Sequence, residues 1–175
     1  MKDLKPDRII LHCGLHKTGS TFLQTNCQCN HENLLLCGIL YIDFINMKKK
    51  FSELWQYVQF GNDDTESNLR DATYETLAQL GSKRLDKIHT ILLSSEEIFG
   101  PLKDVLTTTI IQAPNLENEP GLYRYAEARS KRLIKALADS LELRDIEWKI
   151  VFGTRVQDQF IRSCHNQIIK QGNHS

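Results

Sequence analysis

A lysine set between two glycines is the most chemically pointed feature of this sequence. The stretch Gly14-Leu15-His16-Lys17-Thr18-Gly19-Ser20-Thr21 follows the apolar run RIILHC and precedes TFLQTNCQCN, which has helical character. Two glycines let a backbone bend tightly around an anion, and successive N–H groups at the head of a helix concentrate positive potential there. A turn of this kind suits a phosphate or sulfate group, with Lys17 as a mobile charge. The competing reading is a plain strand–helix turn with a solvated lysine. His16 is open in the same way, as a donor to the anion, a contact to a second substrate, or polar loop filler.

Other candidates lie further along the chain. Leu92-Leu93-Ser94-Ser95-Glu96-Glu97 closes an apolar run. Glu96 there can take the proton from an attacking hydroxyl or amine. Equally, Ser95 can cap a helix with Glu96 and Glu97 in its first turn, where the helix dipole favours acidic groups. Glu32 is another candidate base that also reads as a solvated helix residue. Arg155 follows the run KIVFGT, and Ser163 comes eight residues later. A guanidinium binds phosphate through two charge-assisted hydrogen bonds, and a serine hydroxyl adds a donor. Both also read as surface residues of a helix. His12 and His89 are expected as satisfied strand residues, and His165 beside Cys164 makes no recognisable dyad. The cysteines (Cys13, Cys27, Cys29, Cys37, Cys164) lack the paired spacing of a zinc site. They are expected as reduced, small, buried side chains.

On these residues the chain resembles the sulfotransferases that use 3′-phosphoadenylyl sulfate (PAPS). GLHKTGSTFLQ is similar to their 5′-phosphosulfate loop, in which a lysine, one residue and Gly-Ser/Thr-Thr precede an aromatic or apolar residue; here these are Lys17, Thr18, Gly19, Ser20, Thr21 and Phe22. HENLLLCGILYI resembles the stretch that follows that loop in bacterial-type members. RVQDQFIRSCHNQIIK resembles their 3′-phosphate motif, and a strand ending in Ser-Ser-Glu fits them at Glu96. The resemblance implies a three-layer α/β sandwich with a parallel sheet of P-loop type. It implies a cofactor site of Gly14, His16, Lys17, Thr18, Gly19, Ser20, Thr21, Arg155 and Ser163, with Lys17 and Glu96 catalytic. PAPS is then the cosubstrate, no metal is required, and the acceptor is a hydroxyl or amine on a small molecule or carbohydrate.

The likeness covers nearly the whole chain but only the N-terminal part of the family domain. The expectation is a single sulfotransferase-like domain over 1–175, shortened on its C-terminal side and left with an unpaired sheet edge. Two alternatives stand beside the enzyme: a P-loop nucleotide-binding kinase, and a catalytically inactive, truncated binding protein of the same fold. The Gly-x4-Gly frame is shared with kinase loops, but those carry lysine where this chain has Ser20. No hydrophobic strand ending in aspartate is expected, which also tells against a magnesium-dependent kinase.

Positioning such groups takes strands and helices in alternation. The patterns predict strands over 8–13, 39–42, 88–95 and 148–154, the first and last of them buried. Helices are expected from Thr21, within 50–87 around a turn at 61–64, from Leu122 and over 157–170, with a short helix and a loop in 100–121. Ala126, Leu133, Leu137 and Leu141 keep helical spacing on one stripe. Strands separated by helices imply a parallel sheet, whose ligands bind beyond the carboxyl ends of the strands. The segments 14–21, 94–97 and 154–163 all leave such ends. At 175 residues, 41% apolar and 25% charged, the chain is an ordinary globular domain. Lysines plus arginines equal aspartates plus glutamates at 22 each, which argues against nucleic acid as a partner. Any bound anion must be held by a few placed donors. No apolar run suits a membrane segment or a leader, so a cytoplasmic protein is expected, with its oligomeric state open.

Overall fold

Four runs rich in isoleucine, leucine and valine form the strands of the computed structural model, which describes residues 4–14, 20–43, 48–61, 66–95, 125–143 and 145–153, with 159, 162 and 166 as single positions. They are β1 (Arg8–Gly14), β2 (Ile39–Asp43), β3 (Thr90–Ser94) and β4 (Glu147–Gly153). All pair in parallel, in the order β2-β3-β1-β4. Around them lie α1 (Ser20–Cys29), α2 (His31–Leu36), α3 (Ser52–Phe60), α4 (Glu66–Gly81), a 3-10 segment (Ser82–Lys87) and α5 (Ala126–Leu141). The architecture is α/β, compatible with three layers.

Side-chain alternation divides the sheet into two faces of different character. Ile9, Leu11, Leu40, Ile42, Ile91 and Leu93 are buried on one face. They share a core with Leu54 and Val58 of α3, Leu69 and Leu77 of α4, and Leu133, Leu137 and Leu141 of α5. The α5 stripe is the one its spacing predicts. α3 and α4 run antiparallel, since Tyr57 meets Leu69 while Phe51 and Leu54 meet Thr73 and Thr76. Gly61 ends α3 at φ 74°, and Arg132 of α5 donates from Nη1 to the Val58 carbonyl beside it, at 3.0 Å.

Three local expectations need correction. The described cysteines are not all buried: Cys13 is, but Cys27 is half-buried and Cys29 and Cys37 are exposed. His89 lies ahead of β3 and is exposed; its Nε2 is 2.9 Å from the Cys37 carbonyl and its Nδ1 2.9 Å from Thr90 Oγ1. β4 is not a buried strand: Ile150, Val151 and Phe152 are 44%, 46% and 52% exposed. Among the described residues β4 pairs with β1 alone, so its outer side has no neighbouring strand to shield it. At the start of the β1–β4 pair Arg8 and Glu147 form a hydrogen-bonded ion pair, and Lys149 lies 3.1 Å from Glu147. The Arg8 hydrogen bond, then that of Lys149, holds the Glu147 carboxyl below its ordinary range.

Candidate functional site

β1 delivers Gly14 to the carboxyl edge of the sheet, between two neighbours. Gly14 is its last residue and pairs in register with Gly153, the last of β4. Ser20 is the first residue of α1 and is 3% exposed, while Thr21 is exposed. The five residues between, including His16, Lys17, Thr18 and Gly19, lie outside the described residues, as do Glu96, Glu97, Arg155 and Ser163. Chain connectivity still constrains the starting points. Ser95, next to Glu96 in the chain, donates its N–H to the His12 carbonyl at 3.2 Å. Arg155 comes two residues after Gly153, the register partner of Gly14. The candidate segments therefore leave the sheet from adjacent strand ends. Glu32 is a solvated residue, its side chain 91% exposed and 3.9 Å from His31.

The structure adds a layer of polar side chains that the sequence reading did not select. Asp43, Ser94 and His12 occupy one register level across β2, β3 and β1. All three are buried, at 6%, 1% and 7% exposure. Ser94 Oγ lies 2.8 Å from His12 Nδ1 and accepts from Gln24 Nε2 of α1 at 3.3 Å. Tyr41 of β2 donates its hydroxyl to the Gln24 carbonyl at 3.4 Å. Buried polar groups of this kind must be paired, and His12, Ser94, Gln24 and Tyr41 are linked to one another across three strands and a helix. One signal was legible in principle: β2, an apolar run, ends in Asp43. The expectation that no hydrophobic strand ends in aspartate is overturned there.

These residue types suggest a hydrolase triad, but the arrangement does not fit one. In such triads the carboxylate orients the histidine and the histidine's far nitrogen faces the serine. Here the register neighbour of Asp43 is Ser94, and it is His12 Nδ1 that faces the hydroxyl. Ser94 is also almost inaccessible. The neighbouring groups are poor nucleophiles as well. Burial pushes the Cys13 thiol up to about 12, which leaves it protonated at neutral pH. Burial, then the charges of Cys27 and Asp43, raises the Tyr41 phenol well above its ordinary value, against an opposing hydrogen bond with Ser94. The layer is a hydrogen-bonding floor that fixes three strand ends and the first turns of α1.

One polar atom in this region has no such partner. Ser95 is fully buried, and its hydroxyl makes no hydrogen bond among the described residues. His12 and Asp43 belong to no cluster of three or more metal-binding side chains among the described residues. Nor is any helix among them long and apolar enough to cross a membrane. No protein-family model matches the chain, and no curated protein sequence matches it.

Proposed function

We propose that the chain is a PAPS-dependent sulfotransferase of P-loop type, transferring a sulfuryl group to a hydroxyl or amine of a small-molecule or carbohydrate acceptor. One observation carries the reading. The five-residue segment that carries Lys17 connects the end of an inner parallel strand, Gly14, to the first residue of a helix, Ser20. That is the setting in which main-chain N–H groups and a helix terminus bind a phosphosulfate. The order β2-β3-β1-β4 adds support, because chain connections diverge from the adjacent ends of β1 and β3.

In the proposed reaction the acceptor oxygen or nitrogen forms a new bond to sulfur as the bond from sulfur to the bridging phosphate oxygen breaks. Glu96 takes the acceptor's proton, and the products are a sulfate ester or sulfamate and adenosine 3′,5′-bisphosphate. Lys17 meets the negative charge that grows on the bridging oxygen. The amides of Thr18, Gly19, Ser20 and Thr21 form a preorganised anion hole, and Arg155 with Ser163 holds the 3′-phosphate. Electrostatic preorganisation bears most of the work, as in phosphoryl transfer.

The test is sulfate transfer from labelled PAPS to a panel of phenols, amines and glycans, with a Lys17→Ala variant beside the parent chain. Removing one such donor is expected to slow transfer about 10²–10³-fold with the fold intact. Tight binding of adenosine 3′,5′-bisphosphate without transfer to any acceptor would favour the inactive binding protein. Asp43, buried at a strand's carboxyl end, is the observation that favours the kinase reading. Stabilisation by ATP–magnesium exceeding that by adenosine 3′,5′-bisphosphate would replace the sulfotransferase with that kinase.

A further inference from the structure

The outer side of β4 carries main-chain groups that the sheet does not use. Glu147 donates its N–H to the Asp7 carbonyl at 3.1 Å. Main-chain direction alternates along a strand, so Glu147, Lys149 and Val151 turn their N–H and C=O groups toward β1. Those of Trp148 and Ile150 turn outward, where no strand among the described residues receives them. The edge is also regular. β4 pairs with β1 residue for residue over its seven positions, with neither bulge nor proline to blunt it.

This edge is complementary to itself. Read in either direction, Ile146-Glu147-Trp148-Lys149-Ile150 keeps its apolar positions and exchanges glutamate for lysine. Two copies set antiparallel about a two-fold axis at Trp148 place Glu147 across from Lys149 twice, Ile146 across from Ile150 twice, and Trp148 across from itself. The outward-directed Trp148 pair exchanges two main-chain hydrogen bonds, and opposite charges or apolar side chains directly across from one another stabilise the pairing. Glu147 holds Arg8 and Lys149 of its own chain, yet the Glu147 and Lys149 side chains remain 46% and 50% exposed and within reach of a second copy. Charge also selects this register. Moving the axis to Lys149 sets that lysine against itself, and moving it to Ile150 leaves both charges without a partner across the strand. Val151 and Phe152, exposed just beyond Ile150, flank the ladder as an apolar rim. Lysines plus arginines equal aspartates plus glutamates at 22 each, so no net charge drives two copies apart.

We infer that β4 pairs with β4 of a second copy, antiparallel about Trp148, and joins the two sheets across a two-fold dimer. The contact uses the half of β4 remote from Gly153, the register partner of Gly14. The strand ends of the candidate donor site therefore stay open, and the dimer forms whether or not the chain transfers sulfate. Five paired residues span about 16 Å of strand. That covers less than the roughly 800 Å² per partner of a stable interface, so the dimer is weak, with a dissociation constant on the order of 100 µM.

Sedimentation velocity of the full chain in reductant, from about 10 µM to 1 mM, should show a monomer–dimer equilibrium in that range. Lys149→Glu sets like charges across both pairs and should weaken association about tenfold with the circular dichroism spectrum unchanged. Glu147→Lys should do the same, while an equimolar mixture of the two variants should dimerise again, because each lysine then faces a glutamate. Ile150→Pro removes an outward N–H and none directed at β1, so it should abolish the dimer and keep the monomer's spectrum. Should Glu147→Lys fail to fold without its Arg8 partner, Lys149→Glu and Ile150→Pro decide the question. A chain monomeric at 1 mM, its edge then left to a strand of another protein, would overturn the inference. So would species larger than a dimer, or a dimer indifferent to both Lys149→Glu and Ile150→Pro.

Discussion

Ser94 and Ser95 are adjacent, equally buried and chemically identical, yet truncating them should have opposite effects. Ser94→Ala removes the group that lies 2.8 Å from His12 Nδ1 and accepts from Gln24 Nε2 at 3.3 Å. Gln24 is partly exposed and can turn to water, whereas His12 is 7% exposed and cannot readily do so. One hydrogen bond lost outright and a buried ring nitrogen deprived of this partner cost about 2 kcal/mol. Ser95→Ala removes a fully buried hydroxyl that satisfies nothing among the described residues. Its loss relieves a desolvation cost, so stability should stay level or rise by up to about 1 kcal/mol. Urea unfolding followed by circular dichroism measures both. With a slope of about 2 kcal/mol/M, Ser94→Ala should lower the midpoint by roughly 1 M, and Ser95→Ala should not lower it at all. Equal losses in the two variants would refute the argument that hydrogen bonding, and not burial alone, sets the value of these hydroxyls.

Gly38→Ala should lower the thermal midpoint by about 5–10 °C in calorimetry, from a loss of about 2–4 kcal/mol. Gly38 sits at φ 75°, and an added Cβ would lie 2.6 Å from both the His89 ring and the Lys87 carbonyl; an unchanged midpoint would show that this turn can relax. In a Cys164→Ser background a thiol reagent at neutral pH should label exposed Cys29 and Cys37 first, Cys27 more slowly, and Cys13 only on denaturation. Because the Cys13 thiol is raised to about 12 in the fold, its contribution is complete below the unfolded-state value and lost as pH rises towards 12. Relative to a Cys13→Ala variant, the loss should reach about 2 kcal/mol near pH 10 in urea titrations. Val151→Lys, on the exposed strand β4, should change stability by less than about 0.5 kcal/mol while reducing self-association in light scattering. Enhanced association would argue against an exposed edge.

Much of this fold follows from local patterning. The run RIILHC and the glycine after it mark a buried strand and its exit, and the stripe Leu133, Leu137, Leu141 marks the buried side of α5. The same patterning placed Cys29 and Cys37 in the interior, whereas both are exposed, because an apolar residue type does not say which side of a short helix meets the core. It also misread β4. Ile150, Val151 and Phe152 are apolar enough for an interior, and their exposure depends on which strands lie beside them. The expected donor site was legible as residue types, of which Gly14 and Ser20 fall where the strand–turn–helix reading needs them.

The sequence by itself determined which side chains share a face, because alternation and helical spacing are local properties of the chain. It also determined where a strand gives way to a glycine turn, since glycine's freedom is written into the residue itself. Only tertiary structure decided that Asp43, Ser94 and His12 form one buried level beneath α1. Ser94 and His12 are 82 residues apart, and their contact requires β3 to insert between β1 and β2. That order arises from how the helices pack and how the strands pair over long distances, which no short window of residues encodes.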